Sequence, residues 1–493
     1  GPGGVGKTRL AHELGVRSSA PVVRVVELGA ASPGGAVEAV AANLGLRPDP
    51  FTAVEPQVAQ HLHGPQTLLI VDNCEHVRTE CADLIGFLLS QCPALTVLTT
   101  SRAPLAIAGE TVYELPSLSV DAGRELFIQR AGGLRDSADL DPQLVDELVA
   151  RIDGLPLAVE LAAARIRTMS LPEILDGLAE HVARPPDSAP LMPPRHQGLS
   201  NVIVWSWRLL SPRARRTLRF ATVFSGDFSR EAGEEVAGRG LDELVEHSLL
   251  QVVETRGDER TTLRFSALHT IGQFAEEKLD QTGEREQALG RLRAWAGRNS
   301  ELAAADLFGP DQLRSLTWIG REERHLLTAL RSAFTAEDGA SAFVVLAALA
   351  GAWTIRTEQV RLLSLLEEVE DVLTHSPSIL AADRVHAWVG LSALLLFDLM
   401  IPWSTPRPAA TRAWLELSAE NLTAPAPLWA ALSSLTARLQ SSSAPDTLLD
   451  VLGSDDRLVA ALGAALAALS IENSGAPARA ANIVRTALAR LTP

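Results

Sequence analysis

A chain of 493 residues is longer than one hydrophobic core serves, so about three domains are expected. Hydrophobic residues at 46% against 21% charged ones exclude a disordered chain, and 4% aromatics amid abundant Ala and Leu favour helix over sheet. A formal net charge of −16 excludes strong nucleic-acid binding by the chain as a whole, because neutralising phosphates takes a basic face.

The chain opens on Gly1-Pro2-Gly3-Gly4-Val5-Gly6-Lys7-Thr8, and a helical pattern runs from Thr8 to about Val16. Glycines permit positive φ, so in a Gly-x-x-x-x-Gly-Lys-Thr loop backbone N–H groups converge on a phosphate with no side chain in the way. Lys7 adds a point charge for the β- and γ-phosphates, the Thr8 hydroxyl a Mg²⁺ ligand, and the helix start its dipole. Only two lysines occur, Lys7 and Lys278, so a chain that otherwise uses arginine keeps a lysine where a phosphate loop needs one. Such a loop normally follows a strand, expected to be central in its sheet. No such strand precedes Gly1, which reads as an N-terminal cut; the last helical stretch runs uncapped to Pro493 and suggests the same there.

Pro21–Glu27 is predicted as a strand, and Gly35–Leu44 and Val54–His63 as helices. Thr67–Asp72 is a continuous apolar run closing on an acid, which suits a buried parallel strand. A helix over Val77–Gln91, a strand over Leu95–Thr100 and a last strand over Thr111–Leu115 complete a doubly wound α/β domain at 1–118. Its ligand belongs at the carboxyl ends of the strands. Asp72 there is a candidate Mg²⁺ ligand, and Arg102, after Thr99-Thr100-Ser101, can sense a γ-phosphate.

Helices at about 121–131, 142–152, 155–168 and 171–179 predict an all-α lobe at 119–183, with Gly154-Leu155-Pro156-Leu157-Ala158 marking a helix start. Pro-rich Arg184–Arg195 reads as a linker. Helices at about 199–210, 212–222, 229–237 and 241–248 precede two β-rich runs, Leu249–Thr255 and Thr261–Ser266, around Arg256–Arg260. A closing helix over Leu268–Leu279 makes 196–282 a winged-helix-like domain. The basic cluster Arg213, Arg215, Arg216 and Arg219 is expected on a solvated helix face.

Residues 285–493 are expected to be helical, broken at Pro402, Pro406, Pro425 and Pro445, as a solenoid of helix pairs without a fixed repeat period. The uncharged run Gly339–Ile355 is short for a membrane span and predicts a buried helix, so no membrane partner is expected. Cys74, Cys81 and Cys92 lack metal-ligand spacing, and their odd count without a targeting peptide fits a reducing cytoplasm.

The succession GPGGVGKT, LLIVDNCEH, LTVLTTSR, IDGLPLAVELAAARI and FSALHTIGQFA closely resembles the STAND class of P-loop ATPases. Within that class it is similar to the NB-ARC-type module of AfsR/SARP-like and LuxR-type bacterial transcriptional regulators. The likeness covers roughly 1–335, where Trp318–Ser332 would open a tetratricopeptide-like region. It implies that Gly1, Gly3, Gly4, Val5, Gly6, Lys7, Thr8 and Arg9 hold ATP or ADP, with Mg²⁺ on Thr8 and Asp72. Lys7, Asp72 and Arg102 would be the catalytic set, with Arg102 as sensor, and Pro156 would pack near the adenine. His269 falls where related proteins carry Met-His-Asp, whose histidine contacts the ADP β-phosphate; Thr270 departs from that Asp. A further departure is Asn73, where active hydrolases often place a second acid. Asn can hold a water but cannot accept its proton. Glu75 is close in sequence, with a direction that sequence does not give.

The expectation is an ATP/ADP switch with slow hydrolysis, closed around ADP and opened by ATP. The resemblance implies a transcriptional output through a DNA-binding domain outside these residues, a helical region that senses a protein or ligand, and a homo-oligomer on activation. Two other readings are an AAA+-like motor or loader ATPase, which Asn73 opposes, and a winged helix that reads DNA itself, which the acidity opposes.

Overall fold

The computed structural model describes residues 1, 3–29, 34–46, 53–132, 140–183, 197–256, 261–307, 309–356, 358–398 and 407–420, with scattered positions from 422 to 485. The predicted linker from Arg184, the hairpin tip 257–260, Pro402, Pro406, Pro425, Pro445 and the final helix to Pro493 lie outside the described residues. The chain divides into two compact units, Gly1–Ala288 and Leu289–Pro493.

In the first unit the glycine loop leads into α1 (Lys7–Arg17), followed by β1 (Val22–Glu27), α2 (Ala36–Asn43), α3 (Val54–Leu62), β2 (Thr67–Asp72), α4 (Arg78–Gln91) and β3 (Leu95–Thr99). The three strands are parallel in the order β1-β2-β3, with Glu27 opposite Asp72 and Val71 opposite Thr99. The apolar run of β2 follows from its place: Leu69, Ile70 and Val71 are buried in the middle of the sheet. On one side Val26, Leu69 and Val71 join Val40, Val58, Leu84 and Leu88 from α2, α3 and α4. Across the sheet α1 lies flush, since a Cβ at Gly15 would stand 2.8 Å from Ile70 Cδ1.

One predicted strand is absent. Thr111–Leu115 is irregular, with Val112 60% and Tyr113 75% exposed. β-prone residues make a strand only where a ladder partner and a covered face exist, and among the described residues this segment has neither.

The chain continues through α5 (Val120–Ala131), α6 (Pro142–Arg151), α7 (Pro156–Ala163), a 3₁₀ turn at Ala164–Arg167, and α8 (Leu171–Ala183). Ser119 and Asp141 cap α5 and α6 by accepting from the N–H groups of Ala122 and Gln143. Next come α9 (Gln197–Leu209), α10 (Pro212–Ala221), β4 (Phe228–Ser229), α11 (Arg230–Val236), α12 (Leu241–Glu246), β5 (Gln251–Arg256), β6 (Thr261–Ser266) and α13 (His269–Thr282). These strands form an antiparallel sheet ordered β4-β6-β5 on a core of stacked Phe224, Phe228 and Phe265. In the basic cluster on α10, Arg213 is exposed as expected, whereas the other three arginines are half-buried and engaged. Arg219 and Arg216 face Glu284, and Arg215 Nε donates to the Trp207 carbonyl.

The second unit is helical among the described residues. α14 (Arg285–Asp306) leads into α15 (Gln312–Thr335), α16 (Gly339–Arg356), α17 (Gln359–His375), α18 (Arg384–Asp398) and α19 (Pro408–Ser418). Among the described residues α16 is the helix long and apolar enough to cross a membrane by length and composition. It is 72% buried, packed against α15 and α18, as a core helix would be.

Candidate functional site

The glycine loop has the backbone form its composition allows. Gly4 has φ +74° and Gly6 φ +99°, left-handed values that side-chain-bearing residues resist. Lys7 Nζ donates to the Gly1 carbonyl at 2.9 Å. Burial lowers the Lys7 pKa, and Glu75 is the strongest of the charges opposing that shift.

Thr8 Oγ1 donates to Asp72 Oδ2 at 3.0 Å, joining the start of α1 to the end of β2. The Asp72 carboxylate is buried, and its other oxygen accepts from Thr100 Oγ1 at 2.5 Å. Thr100 Oγ1 also accepts the Asn73 N–H at 3.0 Å, and the Thr100 carbonyl accepts the Cys74 N–H at 3.1 Å. The turns after β2 and β3 are thereby tied together behind the carboxylate. Thr8 and Asp72 present neighbouring hard oxygens, a donor type that suits Mg²⁺. The positive-φ glycines and Lys7 suit a polyphosphate, so the residues present fit both groups.

Asn73, itself left-handed at φ 64°, turns the chain into a 3₁₀ turn at Cys74–His76 that brings Glu75 back to the same end of the sheet. Arg102 Nε lies 2.9 Å from Glu75 Oε1, and His269 Nε2 lies 3.7 Å from that oxygen. With its amide oriented to satisfy its neighbours, Asn73 donates to both Glu75 oxygens at 3.2 Å. Arg102 Nη2 donates to Gln273 Oε1 at 3.0 Å on α13. Burial first, then the Arg102 charge, push the His269 pKa down, which keeps the ring neutral near pH 7.

Two further elements close on the loop. Thr270 Oγ1 stands 2.8 Å from where a Gly3 Cβ would be, so the first turn of α13 rests on glycine because nothing larger fits. The Leu157 N–H, in the first turn of α7, donates to the Gly4 carbonyl at 3.2 Å. Leu199 of α9 would lie 3.1 Å from a Gly4 Cβ. Gly154, at φ +58°, sets the approach of α7: a Cβ there would stand 2.3 Å from the Leu118 carbonyl.

Of the residues expected from sequence, the structure gathers Gly1, Gly3, Gly4, Lys7, Thr8, Asp72, Arg102 and His269 at one end of the sheet. Val5 is buried beside them, and Pro156 opens α7 one residue before the Leu157 contact. Arg9 departs from the set: its side chain is 75% exposed and leans toward Glu160, at 3.8 Å. Thr100, Leu157 and Gln273 were not anticipated. Thr100 precedes Ser101-Arg102 at a strand tip and was legible in principle; Gln273 carries no local signal.

No protein-family model matches the chain. The first unit thus carries a three-stranded parallel sheet headed by a glycine loop, and the chain continues in helical elements and a small antiparallel sheet. The chain is 37% identical over 303 residues to the "Putative HTH-type transcriptional regulator Rv0890c" of Mycobacterium tuberculosis, covering 58% of this chain and 34% of that protein. The chain thus spans about a third of the length of such relatives. It is 32% identical over 312 residues to "Uncharacterized protein Rv0894" of the same organism, covering 59% of this chain and 78% of that one. The chain belongs to the family of this uncharacterized mycobacterial protein. Among solved structures, a Signal Transduction ATPase with Numerous Domains (STAND) protein with a tetratricopeptide repeat sensor, from Pyrococcus horikoshii, matches with TM-score 0.45 at 12% identity. That match covers 99% of this chain and 80% of the other.

Proposed function

We propose that this chain is the nucleotide-binding core of a STAND-class bacterial transcriptional regulator, an ATP/ADP switch with slow hydrolysis. The observation that carries the reading is the 3.0 Å bond from Thr8 Oγ1 to Asp72, at the head of a left-handed glycine loop that also places Lys7. Thr8 and Asp72 would hold Mg²⁺, which when bound would offset the phosphate charge. Lys7 would face the β- and γ-phosphates, Arg102 the terminal one, and neutral His269 would donate toward ADP. Pro156 would lie near the base. Asn73 cannot accept a proton, which favours a latch over a fast enzyme.

The regulator reading is supported by the name of the Rv0890c relative. We read α9–α13 with β4-β6-β5 as a winged helix, and the helices from 289 onward as a tetratricopeptide-like sensor of a protein or ligand. DNA would be reached through a domain outside these residues, in the cytoplasm, with homo-oligomers formed on activation. Titration of the full chain with fluorescent ADP and ATP analogues tests this. Binding should need Mg²⁺ for ATP and should weaken at least about tenfold in Lys7→Ala, a loss of about 1.4 kcal/mol or more. Unchanged binding in Lys7→Ala would remove the site. Turnover should fall below the usual enzymatic range of about 1–10³ per second.

A further inference from the structure

Glu75 occupies a crossing that the nucleotide reading leaves without a role. Its side chain is 17% exposed and faces Arg102 Nε at 2.9 Å and His269 Nε2 at 3.7 Å. Arg102 uses a second nitrogen, Nη2, to reach Gln273 one turn further along α13. The guanidinium is a rigid fork, so its two engagements are fixed together: Nε on the 3₁₀ turn, Nη2 on α13. The cation at the centre of this chain of contacts is the one expected to meet a terminal phosphate.

We propose that Glu75 is a latch residue, which parks Arg102 so that α13 stays docked on the glycine loop until Arg102 is drawn to another anion. The docking half rests on the geometry alone; the identity of the competing anion, the terminal phosphate of ATP, rests on the nucleotide reading. Swinging the fork toward a phosphate breaks its bonds to Glu75 and to Gln273 together, and α13 loses the tie beside Thr270 and Gly3. A diphosphate makes no such demand on Arg102. Only a ligand with different affinity for the docked and undocked forms shifts their balance, and competition for a single cation supplies that difference.

Hydrogen–deuterium exchange on the full chain tests the latch. Without nucleotide, Glu75→Gln and Gln273→Ala should each speed exchange over 269–282, roughly three- to tenfold for a partly buried charge network. The double variant should go no further than the larger single effect, since both changes sever one chain of contacts. Exchange over 142–151 should stay at the wild-type rate. Unchanged exchange at 269–282 in Glu75→Gln, or effects that simply add, would overturn the latch. If Glu75→Gln also loosens 142–151, the exposed Gln273→Ala decides alone: faster exchange upholds the latch and no change overturns it. In the wild type, ATP with Mg²⁺ should speed exchange over 269–282 and ADP should not. Identical exchange while both nucleotides bind would overturn the competition. Binding of neither would end the nucleotide reading and leave the docking latch standing.

Discussion

Replacing Arg165 by Met should stabilise the protein, against the usual direction of a core substitution. Arg165 is 1% exposed in the 3₁₀ turn after α7, and among the described residues Nε, Nη1 and Nη2 find no hydrogen-bond partner. Its guanidinium carbon sits 5.6 Å from the centre of the Trp205 ring. Burial pulls its pKa down to about 10, far below the arginine norm. At about 1.4 kcal/mol per tenfold, that depression corresponds to a cost of about 3 kcal/mol for keeping the charge inside. Stacking over Trp205 returns roughly 1–2 kcal/mol of it. Met keeps most of the aliphatic stem and can lie against the same ring through its sulfur. The expected gain is therefore about 1–2 kcal/mol, in line with what exchanging buried charge for apolar side chains yields elsewhere. Urea titration followed by hydrogen exchange at 156–167 reads the first unit without assuming one transition for both units. With a slope of about 1–3 kcal/mol per molar urea, the midpoint should rise by about 0.3–2 M. A midpoint that falls by as much would show that the guanidinium is satisfied by its surroundings and that the desolvation argument is wrong.

Gly154→Ala should destabilise the α7 end of the lobe by about 1–3 kcal/mol, the scale of left-handed strain, or by more as the new Cβ displaces the Leu118 carbonyl. Thermal unfolding reads it, and a stability equal to wild type would mean that Leu118 moves freely. His269 gives a pH test. Its folded pKa is below the ordinary histidine value of about 6.5, so on acidification the unfolded or undocked chain takes the proton first. Docking should weaken as pH falls through and below that value and be complete above it. His269→Gln should flatten this profile in exchange over 269–282, and a profile that survives the substitution would move the titration elsewhere.

The residues whose convergence at one end of the sheet was legible from sequence are those whose chemistry is local. A phosphate loop needs glycine at fixed spacing from Lys7 and Thr8, and Asp72 is announced by the apolar strand that ends on it, since a carboxylate closing a buried run needs partners. Both met at 3.0 Å. Arg9 stands apart from that cluster for an equally physical reason: it follows the motif in sequence, but a helix turns each residue by about 100°, and that rotation carries it to Glu160. Thr111–Leu115 failed because β propensity describes a side chain on a covered pleat, and Val112 and Tyr113 have no cover.

Contacts made across long sequence separations were the ones that stayed hidden, and they have a common form. Gly3 looks like loop flexibility until Thr270 is seen against it, and Gly154 looks like a helix boundary until the Leu118 carbonyl occupies the space of its Cβ. Glu75 was visible without direction; only the left-handed Asn73 and the turn after it aim the carboxylate at Arg102. In each case a small or polar residue near the loop is selected by an element far along the chain. The same contacts that hold α7 and α13 on the glycine loop are those a ligand in that loop would disturb. On the proposed reading, packing the loop against two separate elements would couple its occupancy to their docking, a coupling that a switch requires and a simple binding site does not.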